Sequence, residues 1–477
     1  MDLKVGFLSL ALCVGLSWAT IDSDLIEAFS SPGIKRDVLI DFAGGNSRVI
    51  ETIESRSFRT RVGKVKALTQ GLQGSTQSSQ GPVQDYLGSM GIQSKSYWSS
   101  NQMVVRSTNL GLLRRVDSFP QVSRIRMLPT IQLSPIPSSI TPTATTVQWG
   151  VAKVGADKVW STFNTKGEGV VVANIDTGVL GIHEALQGNF RADHGWYDPA
   201  NKTATPNDQN GHGTHTMGTI AGGGEQGIGV APGAKWIACK GCASSGCDGE
   251  SLLSCGQWML SPTNPDGTDP DASKIPDIVS NSWGSAIGGN SWYNATINAW
   301  KAAGILHAFA IGNSGPICFT GGSPGDQASA FAVGSTDIND RSSSFSSRGP
   351  SLSGFITKPE ISAPGSDIYS AWNSSATAYK TISGTSMATP HVAGAMALML
   401  SAHRNNVGDP SAKLPQTKVE SLLETTAVTK GLSIGAINLL IPCSGGFLGR
   451  LSYPNNYFGY GRLDALQAVN ATVKASS

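Results

Sequence analysis

The sequence predicts an α/β fold, a doubly wound parallel sheet flanked by helices, preceded by a small α+β unit. Three observations carry this. Beyond residue 150, short apolar runs at Val170–Ile175, Trp236–Lys240, Ile278–Ser282, Leu306–Ile311 and Ala330–Gly334 alternate with helical stretches, the pattern of parallel strands buried on both faces and joined by helical crossovers. Ser386–Ser401 reads as one long apolar helix. Thr20–Ile140 has a different character, with strand-like runs around one short helical stretch.

Taken in order, Met1–Ala19 carries a positive residue (Lys4), an apolar run from Val5 to Leu16 and the small-x-small end Ser17-Trp18-Ala19. That is the pattern of a secretory signal peptide, and the run is too short to span a bilayer. In the following unit Asp37–Phe42, Gln102–Arg106 and Gln121–Met127 read as strands and Leu110–Phe119 as a helix, whereas the Gln/Ser/Gly-rich Thr69–Gly81 reads as a flexible loop. Ser134–Thr145, rich in Ser, Pro and Thr, reads as an exposed linker.

The larger domain opens with Val170–Asp176, an apolar run ending in a carboxylate and then Thr177-Gly178. Asp176 therefore sits at the carboxyl end of a buried strand, where open α/β sheets place their sites. His212 follows within Asn210-Gly211-His212-Gly213-Thr214-His215, flanked by glycines and leading into a small-residue helix. Read alone, the aspartate could be a solvated strand end and His212 with His215 a metal pair, although the Glu-x-x-His arrangement of zinc proteases is missing. Gly384-Thr385-Ser386-Met387-Ala388-Thr389-Pro390 then places a hydroxyl at the mouth of the apolar helix, where backbone N–H groups lie beside developing negative charge. Pro390 is expected in that helix's first turn, where a missing N–H costs nothing. An isolated Ser there would be an N-cap. With Asp and His elsewhere in the chain it becomes a nucleophile, the imidazole its base and the carboxylate the group that fixes the tautomer.

Seven cysteines are present, and Cys13 leaves with the signal peptide. Cys239, Cys242, Cys247, Cys255, Cys318 and Cys443 remain, an even number that in an exported chain implies three disulfides with 15 formal pairings. The first four could alternatively form a zinc site, against which their irregular spacing and the oxidising compartment count. Asn201, Asn294, Asn373 and Asn470 open sequons, glycosylation candidates if the source cell glycosylates. Charged residues make up 14%, glycines number 57 and net charge is +2. Such a chain offers no electrostatic case for nucleic acid or an anionic membrane.

From Trp149 to the C-terminus the order Asp176, His212, Ser386 in these blocks resembles the subtilisin-like serine proteases. The long insert and Asn281-Ser282-Trp283-Gly284 resemble their bacillopeptidase F-like branch. The resemblance implies a secreted, extracellular serine endopeptidase acting on protein or peptide substrates through an acyl-enzyme. It implies Asn313, in Ala310-Ile311-Gly312-Asn313-Ser314-Gly315, as oxyanion donor beside the Ser386 N–H, and Ser282, Trp283 and Gly284 as the segment pairing with substrate backbone. Trp283 is either a subsite wall or a core aromatic. Residues 20–140, linker included, resemble an inhibitor-like prodomain, so that the chain is a zymogen inhibited by its own N-terminal domain and 141–477 is the peptidase. A monomer is expected, with no cofactor needed for the chemistry. Structural calcium is common in the family, and the acidic loops Asp266–Asp269 and Asn207–Asp208 are its nearest candidates. Gly459–Ala465 resembles the family's closing segment, so no extra C-terminal domain is expected. Activity should need neutral His212 and fail well below the ordinary imidazole pKa of about 6.5.

Overall fold

A computed structural model describes residues 20–31, 33–133, 136–137, 146–434, 443 and 452–476. The signal-peptide segment Met1–Ala19 and most of the linker, including 138–145, lie outside the described residues. Two compact units are distinguished: the described residues of Met1–Gly45 with Thr76–Ser96 and Asn101–Leu128, and Asn46–Ser75 with Tyr97–Ser100 and Pro129–Ser477.

The first unit is built on a five-stranded sheet in the order Thr20–Ile21, Val122–Met127, Arg36–Phe42, Gln102–Thr108, Ser94–Tyr97. Its central strand runs antiparallel to both neighbours, with Leu39 opposite Arg126 on one side and Val104 on the other. Val38, Ile40, Met103, Val105 and Ile125 face a core completed by Leu112, Leu113 and Val116 of the helix Leu110–Val116. Asn109 caps that helix by accepting from the Leu112 N–H at 2.9 Å.

The stretch read as a loop, Thr69–Gly81, lies inside a helix running from Arg61 to Ser89. Glutamine is a good helix former, and the buried Val65, Leu68, Leu72, Val83 and Leu87 recur at intervals of three, four and eleven residues, which keeps them on one face. Gly71 lies close to the side chain of Val49, where an added Cβ would come within 2.7 Å of Cγ1. Composition pointed to a loop; the spacing of the apolar residues decided for a helix.

The second unit carries a seven-stranded sheet in the order Ile361–Pro364, Ala332–Thr336, Leu306–Ala310, Ile278–Asn281, Val171–Asp176, Lys235–Lys240, Trp196–Tyr197, parallel throughout. Five of these strands match the apolar runs of the sequence; the two at the edges do not stand out there, and one of them is only two residues long. Strand order reverses on either side of Val171–Asp176, which places Asp176 at the carboxyl end of the switch-point strand, where such sheets form their crevice. The helix read as Ser386–Ser401 extends from Thr385 to Val407, and every residue from Thr385 to Ala402 is buried. Among the described residues, no helix is long and apolar enough to cross a membrane.

Part of the expected linker is ordered as strand. Ile136–Pro137 pairs antiparallel with Tyr379–Ser383, and Thr130–Ile131 just before it pairs with Gly246–Asp248. The six cysteines form the disulfides Cys239–Cys255, Cys242–Cys247 and Cys318–Cys443, which uses as cystines the four thiols that could have made a zinc site. Cys318–Cys443 closes a separation of 125 residues. Replacing both by serine is expected to cost about 2–5 kcal/mol, read as a lower Tm of the purified protein; an unchanged Tm would show that the bridge carries no stability.

Candidate active site

Asp176 and His212 meet at the end of the switch-point strand. The imidazole Nδ1 lies 2.7 Å from Asp176 Oδ1, and both side chains are 1% exposed. The Thr177 N–H donates to the same oxygen at 2.7 Å, and Thr216 Oγ1 donates to Oδ2 at 3.2 Å. Burial works against the charged imidazole, but the Asp176 carboxylate outweighs it by charge and hydrogen bond, with Asp208 adding to it, so His212 titrates above its ordinary value.

The loop that delivers His212 is held by Asp208. Its Oδ1 accepts from Thr177 Oγ1 and from the N–H groups of Asn210 and Gly211, all at 2.9 Å. Its Oδ2 accepts from the N–H and hydroxyl of Thr214 at 3.0 and 2.6 Å. Gly213 sits so close beneath the aspartate strand that an added Cβ would lie 2.1 Å from the Gly178 carbonyl and 3.0 Å from Asp176 Cβ. In the sequence Asp208 stands out only as part of an acidic loop; an aspartate four residues before a histidine carries no signal without the fold.

His215 faces away from this chemistry. Its Nε2 lies 3.0 and 3.1 Å from the carbonyl oxygens of Ile368 and Lys380, and burial lowers its pKa to about 3. Its Nδ1 is buried and finds no hydrogen-bond partner among the described residues. In the two acidic loops named as calcium candidates, Asp208 is used as above, and Asp266 Oδ1 accepts from the N–H and hydroxyl of nearby Thr268. Among the described residues no cluster of three or more His, Cys, Asp or Glu could hold a metal.

Ser386 is reached from the neighbouring strand. Asn281 pairs with Ile175, so Ser282 continues alongside Asp176, one inter-strand spacing of about 4.8 Å away. Ser386 Oγ donates to the Ser282 carbonyl at 3.0 Å, and Ser282 Oγ donates to the Ser386 carbonyl at 3.0 Å. The second contact explains how Pro390 is tolerated. With the helix starting at Thr385, Pro390 lies in the second turn rather than the first, and its missing N–H frees the Ser386 carbonyl four residues back. Ser282 supplies that donor. Helix His212–Ala221 packs against helix Thr385–Val407, and His212 and Ser386 each lie in the first turn of their own helix. No hydrogen bond joins them among the described residues, an arrangement common before substrate binds.

Asn313 is oriented by its carbonyl. Oδ1 accepts from the Thr385 N–H and hydroxyl, each at 2.9 Å, which leaves the Nδ2 amide as a donor beside Gly384. The Trp283 ring is 2% exposed and meets Tyr293 and Phe309 edge-to-face at 5.1 and 5.7 Å. This side chain is thus packed among core aromatics. Among the sequons, Asn201 is exposed and Asn470 half-buried. Asn294 and Asn373 are half-buried with their amides engaged, at 3.3 Å from Gln327 Oε1 and 3.1 Å from the Asp208 carbonyl.

A carboxylate–imidazole pair at the carboxyl end of a parallel sheet, with a serine at an adjoining helix mouth, defines the class of serine hydrolases. Residues 167–461 match the subtilase family, peptidase S8. The chain is 34% identical to bacillopeptidase F of Bacillus subtilis over 87% of its own length and 29% of that protein's. It is 35% identical to thermitase of Thermoactinomyces vulgaris over 54% of this chain and 84% of that one, and 34% identical to an extracellular serine proteinase of a Thermus species over 50% and 52%. This chain belongs to the subtilase family of serine peptidases.

Proposed function

We propose that the protein is a secreted serine endopeptidase, made as a precursor that cuts itself, with Ser386 as nucleophile, His212 as general base and acid, Asp176 as its orienting carboxylate and Asn313 as oxyanion donor. The observation that carries this is the buried 2.7 Å His212–Asp176 pair, on the strand next to the one on which Ser386 rests. With Nδ1–H given to Asp176, Nε2 is left as the acceptor that a base needs. Ser386 Oγ leaves the Ser282 carbonyl, bonds to the scissile carbonyl carbon and passes its proton to His212. The oxygen takes the electron pair of the C=O π bond and is met by Asn313 Nδ2 and the Ser386 N–H. Collapse expels the amine, which takes the proton from His212. Water then attacks the acyl-enzyme by the same route, releasing the acid and restoring Ser386.

Replacing Asn313 by alanine is expected to lower kcat about 10²–10³-fold, the loss known for an oxyanion asparagine elsewhere in this family. Steady-state kinetics on a peptide substrate measure it, and a change in KM alone would remove Asn313 from the oxyanion role.

Secretion is supported by the composition of Met1–Ala19 and by three disulfides. Self-inhibition is supported by the two short strands that close the N-terminal region. Thr130–Ile131 pairs with the disulfide-bridged hairpin whose first strand starts just past Lys240, and Ile136–Pro137 pairs with the strand that leads within three residues to Ser386. Chain lying along those edges covers the ground a substrate needs. The protein acts as a monomer on protein or peptide substrates, without a cofactor. N-terminal sequencing of the secreted wild type and of Ser386→Ala tests this reading. Wild type starting near residues 141–150, with the variant still carrying its N-terminal domain, is expected; identical trimming of both would assign the cut to another protease.

A further inference from the structure

One buried carboxylate far from the site described has too many cationic partners. Asp277 lies just before the strand Ile278–Asn281, and its N–H donates to the Val171 carbonyl at 2.8 Å. It therefore marks the amino end of the sheet, about 17 Å along the strand from Asp176. Arg404 grips it as a fork, Nη2 to Oδ1 at 3.0 Å and Nη1 to Oδ2 at 3.2 Å, and the Val171 N–H donates to Oδ2 at 3.0 Å. These contacts already neutralise it. Two further cations nevertheless reach Oδ1: Lys413 Nζ, and Arg61 Nη1 at 3.2 Å.

Arg61 comes from a stretch 216 residues away in sequence, on the N-terminal side of the expected cut. It opens its helix just after Thr60, whose hydroxyl accepts from the Gly63 N–H at 3.1 Å. Its Nη2 donates to the carbonyl oxygens of Pro276 at 2.7 Å and Gly304 at 3.2 Å, while its Nε finds no partner among the described residues. Two carbonyls and a carboxylate edge suit a planar guanidinium better than a compact ammonium. Against them stand the like charges of Arg404 and Lys413, and burial together with Arg61 lowers the Lys413 pKa to about 6.

We propose that Pro276, Asp277 and Gly304 form an arginine socket through which the N-terminal fragment stays on the peptidase after cutting, and that Lys413 sets how readily it leaves. This rests on the reading of the chain as a cut precursor, and adds a second point of hold, remote from Ser386, that times the onset of full activity. Removing Arg61 weakens the hold; removing Lys413 strengthens it, because a competing cation has gone.

Two measurements on the full chain test it. In uncut Ser386→Ala, adding Arg61→Ala is expected to raise hydrogen exchange of the amides in 61–75, and adding Lys413→Met to lower it. In the active chain, purified after cutting, release of the N-terminal fragment is followed by size exclusion after dilution at pH 6. Arg61→Ala should release it roughly 30-fold faster or more, the lower end for truncating one partner of a buried charged contact. Arg61→Lys should fall between, and Lys413→Met should release it about threefold more slowly. Release from Arg61→Ala at the wild-type rate, or no slowing in Lys413→Met, overturns the socket. Wild type recovered uncut and fully active overturns the retention role and the precursor reading together, whereas unchanged exchange in the Ser386→Ala background overturns the socket alone. Trimming of Ser386→Ala like wild type overturns self-cutting only, since release is measured whichever protease made the cut.

Discussion

Ser386→Ala is expected to lower turnover about 10⁶-fold, the magnitude known from subtilisin itself. The hydroxyl is the only atom removed, and it serves two partners. In the resting arrangement it donates to the Ser282 carbonyl at 3.0 Å; during turnover it becomes the acyl carrier. Folding should survive, because the reciprocal contact, Ser282 Oγ to the Ser386 carbonyl, involves only backbone on the Ser386 side and still satisfies the acceptor freed by Pro390. Residual rate should stay above that in water, since Asn313 and the helix N–H groups remain. Active-site titration with a serine-directed phosphonate, beside circular dichroism, checks both halves. A folded variant that keeps more than a hundredth of the wild-type rate would exclude Ser386 as the nucleophile.

Asp176→Asn should lower kcat by about 10⁴-fold with the fold intact. An amide at that position can turn its NH₂ toward Nδ1, which moves the imidazole proton to Nε2 and leaves His212 unable to accept from Ser386. The pH profile carries a second signature. Asp176 holds the His212 pKa above its ordinary value, and the base must be neutral, so a raised pKa keeps it protonated to higher pH. The acid limb of kcat/KM for wild type is therefore expected above pH 6.5, higher than an ordinary histidine would put it. Removing the carboxylate leaves burial opposed only by the more modest effect of Asp208, and the limb should move to lower pH. A limb that stays in place in the variant would mean that Asp176 does not set the charge of the base.

Much of the fold was legible because its signals are local. Five strands of the parallel sheet announced themselves as continuous apolar runs, and Asp176 could be placed at a strand's carboxyl end from the run that precedes it. Where composition and spacing disagreed, composition misled: Thr69–Gly81 is rich in Gln, Ser and Gly, yet the apolar residues on either side of it keep helical register. Short edge strands such as Trp196–Tyr197 carry too few residues to stand out from loop.

The sequence by itself determined the fold class, pointed to Asp176, His212 and Ser386 as the candidate site, and set the even count of cysteines beyond residue 19, since each is written in a contiguous stretch of chain. Tertiary structure alone decided what depends on stretches far apart meeting. It chose one pairing of the six cysteines from fifteen, and it packed the Trp283 ring against Tyr293 and Phe309. It placed Ser282 where Pro390 leaves a carbonyl without its donor. It also brought Arg61 to a carboxylate 216 residues away. Local propensity cannot encode such meetings: the strand order of the sheet sets which distant side chains share a low-dielectric pocket, and only there do their charges and hydrogen bonds acquire a partner.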